Sequence, residues 1–253
     1  MIAYSFSPEI LKEDENAILN SSLFTHWLKK IEANFIVKAI HFSSVDFRFH
    51  SKEPLFLKLK AEAFLPDGKP VHGIVLLRGN AVGVLVVLYC EGKPYLLLVR
   101  QPRFPIAEHS SLEIPAGILD WSLDYQKIAL AELKEEAELD VSSEELIDLT
   151  AFYYSKNEEG FAASCGLLDE KIRIFAVERN VSKEELSRLD GKEQSYTEEE
   201  EWIRTEVLPY EEAARLFVDG KNLIALFMYE RYLESKGRLQ KSAILPPQTL
   251  SNL

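Results

Sequence analysis

The sequence predicts an α/β fold, a sandwich in which strands flank a long central helix and two more helices close the chain. Three observations predict it. "AVGVLVVLYC" (81–90) is an unbroken apolar run of strand length, the pattern of a strand buried on both faces. "YLLLVRQPR" follows across an "EGKP" turn and reads as its hairpin partner. From about Leu123 to Leu139 the pattern switches to helical period, with Leu130, Leu133 and Ala137 on one stripe. These patterns leave the topology open.

The remaining elements follow in order. Ser21 or Ser22 caps a helix through "LFTHWLKKIEANF", where Leu23, Trp27, Leu28 and Ile31 recur at helical spacing. "FIVKAIHFSSVDFRFH" and "LFLKLKAEAFL" alternate like half-buried strands, "PDG" at Pro66 to Gly68 turns the chain, and "KPVHGIVLLRG" resumes the strand. A small N-terminal sheet-plus-helix domain over residues 1–78 is therefore expected, then a larger domain over 79–238 and a tail over 239–253. In the larger domain "LIDLTAFYYS" and "EKIRIFAVE" read as strands, and "YEEAARLFVDG" and "NLIALFMYERYLESKG" as the closing helices.

Composition narrows the function. The formal net charge is -12 over 253 residues, so no nucleic-acid backbone is held by general attraction. An anionic ligand must be caught by a few placed Arg side chains or a metal. Two cysteines, Cys90 and Cys165, exclude a disulfide framework and a Cys-rich zinc site; Cys90 reads as core. The five histidines show no metal-ligand spacing. The N-terminus is too acidic and too weakly apolar for a signal or transit peptide, and no apolar run reaches the roughly 18 residues of a membrane span. The expectation is a soluble, cytoplasmic protein with neither nucleic-acid nor membrane partners.

The helix over 123–139 concentrates charge. Each residue advances about 100°, so Glu132, Glu135 and Glu136 share a face at i, i+3 and i+4. Like charges at these spacings repel by a few tenths of a kcal/mol per pair. Two readings offset that cost. One is a solvated face, as in the "EEEE" run at Glu198 to Glu201; the other is a divalent cation such as Mg²⁺, which takes carboxylate and phosphate oxygens.

The residues upstream bear on the choice. Gly117, five residues, Leu123, seven residues, then "AELKEEAEL" resembles the Nudix box, whose pattern is Gly, five residues, Glu, seven residues, Arg-Glu-apolar-x-Glu-Glu-x-Gly-apolar. "EIPAG" at Glu113 to Gly117 and "VRQPRFP" one strand earlier are similar to the ADP-sugar pyrophosphatase branch of the Nudix hydrolases. "SSLFTHWL", "LKLKAEAF", "GIVLLRGNAV", "DLTAF" and "DGKE" are similar to plant-type ADP-sugar diphosphatases, so the resemblance covers roughly residues 20 to 235. Three positions depart: Leu123 stands for the box's first Glu, Ala131 for its Arg and Glu138 for its second Gly. Losing the Glu and the Arg together avoids stranding one charge. With Glu138 in place of Gly, the helix is expected to exit at Asp140 and Val141.

The resemblance implies a Nudix α/β/α sandwich and Mg²⁺-dependent (or Mn²⁺-dependent) hydrolysis of a nucleoside diphosphate sugar of the ADP-glucose or ADP-ribose type, giving a nucleoside monophosphate and a sugar 1-phosphate. It implies metal contacts from Glu132, Glu135, Glu136 and the Ala116 carbonyl, and substrate contacts from Glu113, Gly117 and Arg103, a planar fork suited to phosphate. Arg103 also reads as a surface salt bridge. Arg78 and Arg100 end apolar strands and are further phosphate candidates. "AASCGLLDEK" occupies the place of the family's "SPGxxxE" loop, with Ser164, Gly166 and Glu170 matching and Cys165 for the Pro. Glu170 is thus a candidate catalytic base beside Glu135 and Glu136, and Asp169 competes with it. The resemblance also implies a homodimer through the N-terminal region, where Phe24, Trp27 and Phe47 read as core or interface. The alternatives are a UDP-glucose pyrophosphatase, a hydrolase of another nucleoside diphosphate derivative, and a nucleotide-sugar-binding protein with little or no turnover.

Overall fold

The computed structural model describes residues 2–48, 50–119, 124–154, 159–196 and 201–239. Leu123, most of the Ser155–Gly160 stretch, the Glu198–Glu200 run and nearly all of the tail lie outside them. The chain divides into two compact units, Met1–Asn80 with Ala162–Lys171, and Ala81–Phe161 with Ile172–Leu253.

The first unit contains β1 (Ala3–Phe6), α1 (Glu15–Asn20), α2 (Ser22–Glu32), β2 (Ile36–Phe47), β3 (Pro54–Phe64), β4 (Pro70–Val71) and β5 (Ile74–Leu77). Ser21 caps α2 by accepting the Phe24 N–H at 3.3 Å, so the predicted helix starts where its cap predicts. β2 and β3 form an antiparallel ribbon with register shifts near Ala39 and Ser44, β5 pairs with β3, and β1 runs parallel to β2 at the sheet's end. The period-2 alternation turns Ile40, Phe42, Leu57 and Leu59 inward, where the Phe24 and Phe42 rings meet edge to face at 5.0 Å. Residues 162–171 belong here through backbone bonding. The Leu76 N–H donates to the Leu167 carbonyl at 2.9 Å, and Asp169 accepts the N–H groups of Arg78 at 2.8 Å and Gly79 at 3.3 Å. Burial pushes the Asp169 carboxyl above its ordinary pKa, and those two bonds oppose the rise.

The second unit contains β6 (Ala81–Cys90), β7 (Lys93–Arg103), β8 (Glu108–Glu113), β9 (Ala116–Ile118), α3 (Tyr125–Ala137), β10 (Ile147–Asp148), α4 (Leu149–Tyr153), β11 (Phe161–Ala162), β12 (Lys171–Asn180), α5 (Lys183–Leu189), β13 (Glu193–Tyr196), β14 (Glu201–Pro209), α6 (Tyr210–Leu216) and α7 (Gly220–Ser235). Among the described residues its sheet runs β10-β12-β6-β7-β14-β13, with β8 on β7 and β9 on β6. β6 is central, parallel to β12 and antiparallel to β7. Leu85 and Val87 of β6 face one core with Ala213 of α6 and Ala225, Leu226 and Tyr229 of α7. Val84, Val86 and Leu88 face the other, with Ala129, Leu133 and Ala137 of α3 and Leu189 of α5. Helices on both faces of a sheet that buries both sides make the expected α/β/α sandwich. Cys90 is buried, as its apolar run predicts.

Three sequence expectations change. "LIDLTAFYYS" is extended only at Ile147–Asp148, because Asp148 accepts the Ala151 N–H at 2.8 Å and starts α4. The buried stripe of α3 begins at Ala129 rather than Leu130. The helix does not run on to Asp140: Glu138 itself takes the left-handed conformation (φ 48°, ψ 37°), and the Leu139 N–H reaches back to the Leu133 carbonyl at 3.0 Å. That is the closure a glycine normally provides.

Candidate active site

α3 and β9 meet at the glutamates. Asp124 caps α3 by accepting the Lys127 N–H at 3.0 Å, which fixes the helix phase. Ala129, Leu133 and Ala137 then anchor it to the sheet. In that phase Glu132 and Glu136 point at β9. The Glu136 carboxylate is 5% exposed and accepts the Ala116 N–H at 2.9 Å. The amide of Ala116 is therefore the group engaged with α3. Glu132 lies over Gly117, where an added Cβ would stand 1.6 Å from its Oε1. Gly117 is thus the residue whose missing side chain makes room for a carboxylate. Glu135 is exposed one position before Glu136.

Behind this pair sits a buried charge cluster. β8 ends at Glu113, which is 1% exposed. Arg103, at the end of β7, grips it with both edges of one fork, Nε at 2.7 Å and Nη2 at 2.8 Å. Lys221, in the first turn of α7, donates to the same Oε2 and to Asp219 Oδ2 at 2.6 Å. Burial by itself would raise the Glu113 carboxyl; the Arg103 bonds and the Lys221 charge outweigh it and hold the pKa at about 2. The Arg103 guanidinium is pushed up by its bonds to Glu113 and also feels the charges of Glu136 and Asp219. Asn222, fully buried, accepts the Ile114 N–H at 3.0 Å and donates to the Leu112 carbonyl at 2.9 Å, clamping the backbone on both sides of Glu113.

The other arginines are engaged elsewhere. Arg100 holds Glu206 and the Ser110 carbonyl. Arg78 belongs to the first unit, where its Nη1 lies 3.3 Å from Glu170 Oε1, and Glu170 is 5% exposed. Within the second unit, a groove of about 550 Å³ is lined by Arg100, Gln101, Pro102, His109 and the exposed Trp202.

Comparison with known proteins bears on what this arrangement does. The NUDIX domain pattern matches residues 77–227. Over 239 residues the chain is 34% identical to Nudix hydrolase 14, chloroplastic, of Arabidopsis thaliana, a span that covers 90% of this chain and 76% of that protein. The chain belongs to the Nudix hydrolase family. It is also 34% identical over 181 residues to the ADP-ribose pyrophosphatase of Bacillus subtilis (strain 168), covering 70% of this chain and 83% of that protein. The crystal structure of an ADP compounds hydrolase aligns with a TM-score of 0.52 at 17% identity, over 81% of this chain and 97% of that one, which shows a shared fold. These matches agree with the branch read from "EIPAG" and the box spacing.

Nudix hydrolases use divalent cations, and the donors present suit one. Glu132 and Glu136 supply only carboxylate oxygen, the chemistry a hard cation takes. Among the described residues no three His, Cys, Asp or Glu side chains are gathered as a metal cage. A cation that keeps waters and substrate phosphate oxygens needs only one or two carboxylates, so the pair on α3 fits. Of the box's departures, Ala131 leaves α3 without its arginine and Glu138 is tied to Lys192. Sequence reading missed Lys221 and Asn222. Their only local signal is the "DGKN" helix start, which says nothing of burial.

Proposed function

We propose that this Nudix hydrolase cleaves the pyrophosphate bond of a nucleoside diphosphate sugar of the ADP-ribose or ADP-glucose type, with Mg²⁺ or Mn²⁺, releasing a nucleoside monophosphate and a sugar phosphate, the 5-phosphate from ADP-ribose or the 1-phosphate from ADP-glucose. The observation that carries the reading is the placement of Glu132 and Glu136 against the Ala116–Gly117 backbone. The relative in Bacillus subtilis, named an ADP-ribose pyrophosphatase, supports the substrate class.

In this reading Glu132 and Glu136 hold the cation, which when bound neutralises phosphate charge and acidifies water. Arg103 turns its outer edge to a phosphate, and Glu113 fixes the plane of that guanidinium. Glu135, exposed on the same helix turn, accepts the proton of the attacking water. The water oxygen bonds to phosphorus as the bridging P–O bond breaks, and the bridging oxygen leaves on the other phosphate. Glu170 is buried against Arg78, which favours α3 as the source of the base. Glu170→Gln tests this: activity is expected to fall less than in Glu135→Gln, and the reverse order moves the base back to Glu170.

The test of the function is a panel of ADP-ribose, ADP-glucose and UDP-glucose with Mg²⁺ or Mn²⁺, read as monophosphate release. Glu136→Gln is expected to lower kcat on the order of a thousandfold, since several kcal/mol of charge stabilisation goes with that carboxylate. Full activity in the variant, or no monophosphate from any substrate, sinks the reading. We also propose a homodimer through the first unit, motivated by β1 at the sheet's end with Ala3, Tyr4 and Ser5 exposed. Light scattering should return twice 28.9 kDa; a monomer rejects it.

A further inference from the structure

We propose that Lys221 is the positioning residue that leaves Arg103 able to attract a phosphate although Arg103 is paired with Glu113. The inference rests on the reading of Arg103 as a phosphate contact. One guanidinium on one carboxylate is a neutral pair, and a neutral pair offers little pull on a diphosphate. Glu113 is 1% exposed, so water does not screen its charge away from Arg103. Without a second cation, the grip that orients Arg103 also cancels it.

The structure places that second cation on the same carboxylate. Lys221 donates to Oε2 of Glu113, the oxygen that Arg103 Nη2 also contacts. The two cations are not equivalent. The Arg103 side chain is 40% exposed and the Lys221 side chain 9%. Lys221 thus occupies the inner side of Glu113 and Arg103 the outer, so Arg103 shares the Glu113 charge with a second cation, while Glu136 and Asp219 also act on it. Asp219 takes part of the Lys221 charge at 2.6 Å, but its side chain is 32% exposed, where solvent weakens the interaction. Asn222 ties the start of α7 to both neighbours of Glu113, which keeps Lys221 and the carboxylate in register.

The experiment is calorimetric titration of the full chain with ADP in metal-free buffer, so that turnover plays no part. Lys221→Met is expected to weaken ADP by about tenfold, the size of a lost partly buried charge interaction. Lys221→Arg should restore the affinity. So should Glu113→Gln combined with Lys221→Met, because the carboxylate that both cations contact is then gone. A purely structural lysine would not be rescued by removing its partner. Lys221→Met that binds ADP like the wild type, while Arg103→Ala binds weakly, overturns the role of Lys221 and leaves that of Arg103 standing. Arg103→Ala that binds like the wild type, or a wild type that does not bind ADP, overturns both. If Lys221→Met alone does not fold, the charge-neutral double variant decides: wild-type affinity supports the proposal, and weak binding by a folded double variant rejects it.

Discussion

Glu138 holds a backbone conformation that glycine adopts without penalty and other residues at about 1 kcal/mol. Its side chain recovers part of that by pairing with Lys192, but half-exposed pairs contribute little. Glu138→Gly is therefore expected to raise unfolding stability by about 0.5–1 kcal/mol, measured by denaturant titration; a loss of stability would show that the ion pair dominates. At this scale the sequence was legible where spacing alone sets contact. Glu132 and Glu136 share a helix face by arithmetic, and Gly117 sits at the box distance from them. Lys221 was not legible. Its partner lies 108 residues away, and nothing in its neighbours distinguishes a buried lysine from a surface one.

Among elements, the start of α7 acts as a clamp on the β8–β9 connection. Asn222 is fully buried and satisfies one backbone donor and one acceptor there. Asn222→Ala leaves both orphaned and is expected to cost about 3 kcal/mol, with activity falling as well because Glu113 loses its register. A melting temperature within a degree of the wild type would refute the clamp. Long elements (β6, β7, α2, α7) were readable because their apolar residues report burial directly, β6 through an unbroken run and α2 through its helical period. α4 was misread since five residues are too few for a period and Asp148 decides the matter by capping. The short strand β8 carries mixed polar residues and β9 is only three residues long, so neither shows a period, and the partners of both are supplied by the sheet.

Over the whole molecule, two buried carboxylates couple folding to pH with opposite signs. Glu113 has a folded pKa of about 2, below its ordinary 4.5. Its stabilisation is present above the unfolded value and is lost as pH falls from about 4.5 through 2, amounting to a few kcal/mol. Asp169, raised by burial, acts the other way, and its penalty is relieved as pH falls. Stability measured between pH 6 and 3 should therefore drop more steeply in the wild type than in Glu113→Gln; parallel curves would mean that Glu113 is not held ionised. No described helix is long and apolar enough to cross a membrane.

The parallel pairing of β6 with β12 also bears on how the chain assembles. β12 begins at Lys171, long after β6 ends at Cys90, and Phe175 and Val177 complete the core beneath α3. During synthesis the carboxylate helix therefore emerges well before the strand that covers its underside. A nascent chain halted before residue 171 would display that helix with an unfinished floor, a natural target for chaperones and proteases.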